Sequence, residues 1–257
     1  MKKTFIFCMA YLCLLFSFST NVLADDEPLH IFLDGKRVEF AASPFIENGS
    51  ALVPFRALFE QLGTTVGWDG ETNTVSATYG ETTLMYTIGE LEAFRDSQKI
   101  SLPVAGRIVE GSAFIPVRLI GEAIGATVGW EERTRTILIS TAAKRPATVQ
   151  KVNTDYTVEL LPIGEASSTS EKVHLIGVGP SESACSYESL IGQTVYFEHE
   201  PSFPKQAYGY LYLEDGQMLN IQMLAEGCAV KGIPHSELRW VELFEFINDH
   251  MEEQPPR

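Results

Sequence analysis

The chain has 257 residues, of which 45% are hydrophobic and 21% are charged, a composition typical of a globular protein with one or two domains. It carries 19 Lys and Arg against 34 Asp and Glu, which gives a net charge of −15. Because a chain this acidic repels polyanions, the composition argues against a nucleic-acid-binding protein.

The first 24 residues have the pattern of a secretory signal peptide. Lys2 and Lys3 precede an apolar run over residues 5–18, and Ala24 is the small residue that signal peptidases require before the cut. The apolar run is too short to be a permanent membrane span. We therefore expect cleavage after Ala24 and a secreted protein, extracellular or associated with the cell wall, without membrane attachment. The mature chain would then have a net charge of −17.

Two of the four cysteines lie in the predicted signal, so Cys185 and Cys228 remain in the mature chain. In an oxidising compartment these two residues can form a disulfide. The alternative is a pair of free thiols, and the sequence leaves both possibilities open.

A repeat occupies the next part of the chain. Residues 49–75 and 111–137 align at a constant offset of 62, and 13 of the 27 aligned positions are identical. A hairpin with its turn at Asp34 and Gly35 is predicted before the first copy. A second hairpin, with its turn at Gly89 and Glu90, is predicted before the second copy.

Each copy predicts a short strand, a helix and a hairpin. Pro54 and Pro116 are expected to end the strand and to open a helix over residues 55–62 and 117–124, respectively. In the first copy, apolar residues recur at the spacing of one helix face.

Two pairs of side chains in the repeat admit alternative interpretations. Trp68 and Trp130 could be exposed and grip a sugar strand, or each could plug the core of its copy; their position beside a glycine favours packing. Arg56 and Arg118 open their helices, which is unfavourable for the helix dipole. We therefore expect each arginine to contact a carboxylate or backbone carbonyls, with anion binding as the alternative.

The segments "PFRALFEQLGTTVGWD" and "PVRLIGEAIGATVGW" resemble the copper amine oxidase N-terminal-like domain, also called the stalk domain. This family is common in secreted proteins of Gram-positive spore formers. The resemblance implies a stalk domain over residues 28–141 that serves as a surface-exposed binding or spacer module. It does not imply a copper enzyme, because the chain has five histidines and no two of them lie within ten residues of each other.

Residues 142–147 are expected to form a linker, followed by a second domain over residues 148–251 and a tail over residues 252–257. In the second domain, short strands are followed by two predicted helices, which indicates an α+β fold. The helices are expected over residues 219–226 and 236–251, with Ser236 as the N-cap of the last one.

This order, with "VHLIGVGPSE" and "YLYLEDGQMLN", resembles the staphylococcal nuclease-like (thermonuclease) family, which implies an OB-type five-stranded barrel with helices packed on it. Active members carry an arginine and an Asp-Thr-Pro-Glu run on the first of these segments. Here the arginine position is His174, the metal-binding aspartate is Gly179, and the glutamate survives as Glu182. The other metal-binding aspartate aligns with Tyr156 and the second arginine with Gln206. The threonine position is Pro180, Asp155 lies one residue from the Tyr156 position, and Lys205 is the cation nearest to the Gln206 position.

Phosphodiester cleavage needs a hard cation held by carboxylates and guanidinium groups aimed at the charge on phosphorus. The resemblance therefore implies a pseudoenzyme with no cofactor, no metal and no nucleic-acid partner. His174 as a replacement catalyst or metal ligand is the weaker alternative to a strand residue that faces solvent or a carboxylate. We expect a secreted, non-catalytic binding protein whose partner is a cell-wall polymer or a surface protein. The alternatives are a secreted calcium-dependent nuclease with an unrecognised site and a structural spacer of the wall or spore envelope.

Overall fold

The computed structural model describes residues 27–164, 169–181, 185–203, 207–232 and 236–253, so the predicted signal peptide, Glu182, Lys205 and Gln206 lie outside the described residues. The fold is mostly β with few helices. The N-terminal strands are β1 (His30–Leu33), β2 (Lys36–Arg37), β3 (Phe45–Glu47), β4 (Ser50–Pro54), β5 (Thr65–Asp69), β6 (Thr74–Tyr79), β7 (Thr82–Thr87), β8 (Glu92–Arg95), β9 (Gln98–Ser101), β10 (Arg107–Val109), β11 (Ser112–Pro116), β12 (Thr127–Glu131) and β13 (Thr136–Ser140).

The C-terminal strands are β14 (Arg145–Val152), β15 (Thr157–Pro162), β16 (Glu171–Leu175), β17 (Val178–Gly179), β18 (Thr194–His199), β19 (Tyr208–Tyr212) and β20 (Val230–Lys231). The helices are α1 (Phe55–Gln61), α2 (Val117–Ile124), α3 (Leu219–Ala225) and α4 (Val241–Glu253), with a 3₁₀ turn at Glu188–Leu190. Within the described residues, no helix combines the length and the apolar character needed to cross a lipid bilayer.

The N-terminal strands form three sheets, in the orders β5-β6-β7-β8-β9, β12-β13-β1-β2 and β10-β11-β4-β3. The two sequence copies meet in the third sheet, where β4 and β11 run antiparallel and Val53 lies opposite Ile115. These two residues are the same position of the repeat, so each copy presents the same strand to the other. Both are fully buried, and they belong to one apolar cluster that the two copies share.

The helices of the repeat begin where the prolines predict. α1 follows Pro54 directly and α2 follows Pro116, and both prolines are buried. α2 has the predicted bounds, whereas α1 ends at Gln61, one residue before the predicted end. Gly63 and Gly125 follow the two helices with φ of +70° and +73°, a conformation that glycine adopts without strain.

The predicted hairpin with its turn at Gly89 and Glu90 is confirmed, and a further hairpin that was not predicted follows it before the second copy. β7 and β8 do form an antiparallel pair around residues 88–91. However, the counterpart of the Asp34 turn is the turn between β8 and β9, where Asp96 stands at the same offset of 62; Asp34 and Asp96 have similar φ, +47° and +55°. β1 itself pairs in parallel with β13, so the N-terminal hairpin joins the second copy.

The C-terminal half contains a closed barrel in the order β14-β15-β16-β19-β18. β16 and β19 are parallel, and the other neighbours are antiparallel. The predicted linker is wrong in part, because β14 begins at Arg145 and residues 145–147 belong to the barrel. Within "VHLIGVGPSE", Gly177 separates two strands, and its φ of +81° turns the chain out of β16 and into β17.

The last helix begins later and ends later than predicted. α4 starts at Val241, and Ser236 is not its N-cap. The preceding turn is held by tertiary contacts instead: the Arg239 amide donates to Glu200 Oε2 at 3.1 Å, and the Trp240 indole donates to Glu198 Oε1 at 3.2 Å. The helix continues to Glu253, so Glu252 is not part of a tail.

The two halves are packed together. Phe32 of β1 and Leu138 of β13 lie in the apolar core of the barrel. A Cβ atom on Gly129 would lie 2.2 Å from the carbonyl oxygen of Gly216, so this approach of the two halves requires a glycine.

A buried carboxylate joins the halves. Glu198 on β18 is 1% exposed, and its Oε2 accepts hydrogen bonds from Ser140 Oγ at 2.7 Å and from Tyr212 Oη at 2.8 Å. Trp240 donates to the other oxygen, and Lys144 Nζ lies 3.5 Å from Oε2. Burial lowers the pKa of Lys144, and the neighbouring Glu198 offsets part of that effect. Ser140 ends the repeat region, so Glu198 binds both halves at once.

We expect Glu198→Ala to lower the free energy of unfolding by about 3–5 kcal/mol, because it leaves a buried lysine without its counter-charge and several donors without an acceptor. Glu242→Ala is the matched control: it breaks the exposed pair with Lys36 (2.6 Å) and should cost about 1 kcal/mol or less. Urea denaturation of both variants measures the difference. Equal losses would contradict the structural role of Glu198.

Candidate ligand cleft of the barrel

A cleft of about 640 Å³ opens at one rim of the barrel. Its walls come from the loop before β15, from β16 and the turn after it, and from β17 and β20. Alternation along β16 buries Val173 and Leu175 and turns His174 outward. One wall of the cleft is therefore the outward-facing side of β16, with the buried core of the barrel behind it.

Aromatic rings form one side of the cleft. The ring of His174 lies 4.8 Å from that of Tyr208, and Phe203 lies 5.3 Å from Tyr208 on the other side, measured between centroids. His174 is exposed and Tyr208 is half-buried. Three adjacent rings with accessible faces can stack on planar or apolar ligand groups.

Tyr156 fixes the opposite wall. Its hydroxyl donates to the Cys228 carbonyl oxygen at 2.9 Å and accepts from the Ser181 amide at 3.1 Å. Cys228 forms a disulfide with Cys185, with their Cα atoms 5.5 Å apart, so of the two possibilities left open by the sequence the structure has the disulfide. The phenol and the disulfide together join the loops that follow β17 and α3.

The structure brings three of the predicted nuclease positions together. Tyr156, His174 and Gly179 all line the cleft, whereas Glu182 and Gln206 lie outside the described residues. Gly179 pairs through its main chain with Val230 and has no side chain to offer a cation.

Asp155 is the carboxylate that lines this cleft. It is exposed, and it accepts hydrogen bonds from the hydroxyl and amide of Thr157 and from Lys172 Nζ at 3.1 Å. These bonds, led by that of the Thr157 hydroxyl, lower the pKa of Asp155 to about 2. The group is therefore ionised at neutral pH, and Lys172 neutralises its charge.

The described residues do not fit a calcium site. Calcium takes six to eight oxygen ligands. Across the described ranges, no three His, Cys, Asp or Glu side chains are grouped so that they could hold a metal ion. At the cleft, Tyr156 offers a phenol and Gly179 offers no side chain as a ligand.

Two glutamates outside the cleft, in the segment "EHE" at residues 198–200, have a structural role that was not predicted from the sequence. Glu198 and Glu200 are both 1% exposed and lie away from the cleft. Burial alone would raise the pKa of Glu200, but hydrogen bonds from Tyr210, Ser202 and the Arg239 amide bring it below its usual value. The sequence did contain a signal for this structural role. It was a pair of acidic residues on one face of an apolar strand, together with alternating tyrosines on another strand.

The tryptophans and arginines of the repeat differ between the copies. Trp68 is 42% exposed, so the packing interpretation is wrong for it. Trp130 is half-buried and donates to Glu132 Oε2 at 2.8 Å. Arg56 meets the expected carboxylate in Glu60, at 3.7 Å. Arg118 lines a crevice between the second copy and the barrel.

Comparison with known families finds a match for the N-terminal half of the chain. Residues 32–139 match the family model described as the copper amine oxidase N-terminal domain. No curated protein sequence matches the chain.

We expect Tyr156→Phe to lower the free energy of unfolding by about 1–3 kcal/mol, because the change leaves the Cys228 carbonyl and the Ser181 amide without this partner. Tyr208→Phe removes the same atom from another ring of the cleft and serves as the control, with an expected change within about 0.5 kcal/mol. Thermal unfolding followed by circular dichroism compares the two. A smaller loss for Tyr156→Phe than for Tyr208→Phe would contradict the assigned anchor.

Proposed function

We propose that the protein is a secreted, non-catalytic binding protein of the bacterial cell surface. In this proposal a two-repeat stalk domain carries an OB-type barrel of the staphylococcal nuclease-like kind that has lost its catalytic residues. The ligand is a cell-wall polymer or a surface protein, and the barrel cleft is one place where it binds.

The strand arrangement supports the OB-type assignment. Numbered from the first barrel strand, the order is 1-2-3-5-4, closed between strands 4 and 1 and with strands 3 and 5 parallel. OB barrels bind oligomeric ligands over strands 2 and 3 and the loops 1–2 and 4–5. The cleft involves these same parts: Asp155 and Tyr156 in loop 1–2, His174 on strand 3 and Phe203 in loop 4–5.

The observation that carries the proposal is the set of side chains at the nuclease positions. An imidazole and a phenol line the cleft where a guanidinium and a metal-binding carboxylate would act, and Gly179 replaces the other carboxylate. Loss of one hydrogen-bond donor to a developing charge typically lowers the rate by about 10²–10³-fold. With several such groups replaced, contact with aromatic rings is the main interaction that the cleft offers to a ligand.

Charge supports a partner other than nucleic acid. Residues 147–257 contain 6 Lys and Arg against 17 Asp and Glu, a net charge of −11. At the cleft, Lys172 is paired with Asp155, and Lys231 is a second lysine among the lining residues. The net charge of the whole domain would therefore repel a phosphate backbone, while an uncharged or cationic polymer would not be repelled.

Binding and cleavage are tested on the mature chain. We expect no calcium-dependent digestion of DNA compared with EDTA, and retention on purified cell walls that falls at least tenfold in His174→Ala/Tyr208→Ala. Met85→Thr, an exposed change outside the cleft, should bind as the unmodified protein does.

Calcium-dependent cleavage that disappears in Glu182→Ala would overturn the proposal in favour of the nuclease. Wall retention that is unchanged by the His174→Ala/Tyr208→Ala variant would instead favour a spacer whose barrel cleft takes no part in binding.

A further inference from the structure

A second cavity lies in the N-terminal half, far along the chain from the barrel cleft. This Trp68 groove, of about 340 Å³, lies between the start of α1, the exposed indole of Trp68 on β5 and the β10–β11 hairpin. Buried Phe55 and Val75 are among its lining residues, and Arg56 and exposed Ile108 also line it. The groove is therefore mostly apolar, and its two charged lining residues, Arg56 and Glu60, form an exposed pair at 3.7 Å.

The internal repeat shows what makes this groove open. Four of its lining residues are alanines, and the repeat gives counterparts to three of them, Ala41, Ala42 and Ala57. At the offset of 62, the same positions hold Pro103, Val104 and Leu119. Val104 and Leu119 are buried, at 7% and 0% exposure. The first copy thus lacks aliphatic side chains that the second copy buries, and its tryptophan is the more exposed of the two.

The missing volume indicates the chemistry of an occupant. Removal of buried aliphatic groups leaves space that is favourable for apolar atoms and unfavourable to leave unfilled. In the second copy that space is taken by the chain itself. In the first copy, a branched aliphatic side chain from another segment has the matching size and polarity.

Among the strands that the structure describes, the strand beside the groove is an edge strand with no neighbour on its outer side. β5 ends its sheet, and its sequence "TVGWD" contains no lysine or proline, which are common devices against edge pairing. Its counterpart β12 also ends a sheet, but there the main chain of Gly216 from the barrel lies against Gly129. An open edge next to an apolar pocket is the arrangement that binds extended peptides by strand addition.

The second copy also shows which class of molecule covers this surface. Arg118, the counterpart of Arg56, lines a crevice with Glu214 and Asp215 of the barrel. Trp130, the counterpart of Trp68, lines a crevice with Met218 and Ile221. In the second copy the arginine and the tryptophan thus face an acidic turn and an apolar helix of the same chain. The interface already present is between protein segments, and the arginine lies beside acidic side chains.

We propose that the Trp68 groove binds an extended segment of another protein that carries a bulky aliphatic side chain and a nearby acidic residue. The aliphatic group enters the space beside the three alanines, and the backbone adds to the edge of β5. The acid faces Arg56, whose exposed 3.7 Å contact with Glu60 contributes little stability and leaves room for a second carboxylate. This site is separate from the barrel cleft, and it stands whether or not the barrel binds a ligand.

The probes are four pools of acetylated, amidated hexapeptides with Leu or Ala at position three, Asp or Lys at position five and random residues elsewhere. The mature protein, labelled with ¹⁵N, has three tryptophans and hence three indole N–H signals, and Trp68→Phe assigns the one of interest. We expect the Leu/Asp pool to shift the Trp68 signal with an affinity at least tenfold above that of the Ala/Lys pool.

The matched variant is Ala42→Val/Ala57→Leu, which gives the first copy the residues of the second and should abolish the shift while leaving the barrel intact. Should this variant not fold, Trp68→Ala, at an exposed position, replaces it, with binding of the Leu/Asp pool then followed by calorimetry. Full binding by either variant, or no preference among the pools, would overturn the proposal.

Two other occupants have their own outcomes. A shift with a β-1,4-linked N-acetylglucosamine tetramer but with none of the peptides would identify a glycan site and overturn the proposal. A dimer in analytical ultracentrifugation that the Ala42→Val/Ala57→Leu variant abolishes would identify a second copy of this chain as the occupant and would likewise overturn it.

Discussion

The relation between the two halves depends on one buried carboxylate, that of Glu198. A carboxyl group at 1% exposure is stable only where hydrogen bonds and charged neighbours replace water, and here the partners come from both sides of the junction. Ser140 belongs to the last strand of the repeat region, Lys144 to the connection, and Tyr212 to the barrel. Separation of the halves would expose Phe32 and Leu138 and would remove part of this set of partners. The connection is therefore a fixed joint rather than a flexible linker.

Because of this joint, the two similar copies of the repeat differ in which of their surfaces are covered. The barrel covers the edge and the tryptophan of the second copy, while the same features of the first copy stay exposed. The sequences of the two copies differ accordingly. At three corresponding positions the first copy has alanine, where the second copy has proline, valine and leucine. One copy thus supports the barrel, and the other keeps its groove and its strand edge available. The barrel cleft and the Trp68 groove are held on one body by the same packing.

Local patterns predicted the elements whose stability is local. The prolines mark the starts of α1 and α2, and Asp34 and Gly35 form the predicted turn. The start of α4 could not be predicted, because the segment before it is held by Glu198 and Glu200, which are distant in sequence. The β8–β9 hairpin was predictable in principle, since the repeat offset extends to Asp96.

The candidate sites were harder to predict than the fold. Sequence alignment placed Tyr156, His174 and Gly179 in one cleft, and the structure brings them together. The exposure of Trp68 was not predictable from its neighbours in sequence, which match those of Trp130. It depends on which copy the barrel covers, and this is decided by tertiary contacts such as that between Gly216 and Gly129.

Differential scanning calorimetry of the mature protein tests the joint most directly. If Glu198 and the packed faces make one cooperative body, the repeat region and the barrel unfold in a single transition whose calorimetric and van't Hoff enthalpies agree, with a ratio of about 1. Two separate transitions, each insensitive to Glu198→Ala, would contradict the account.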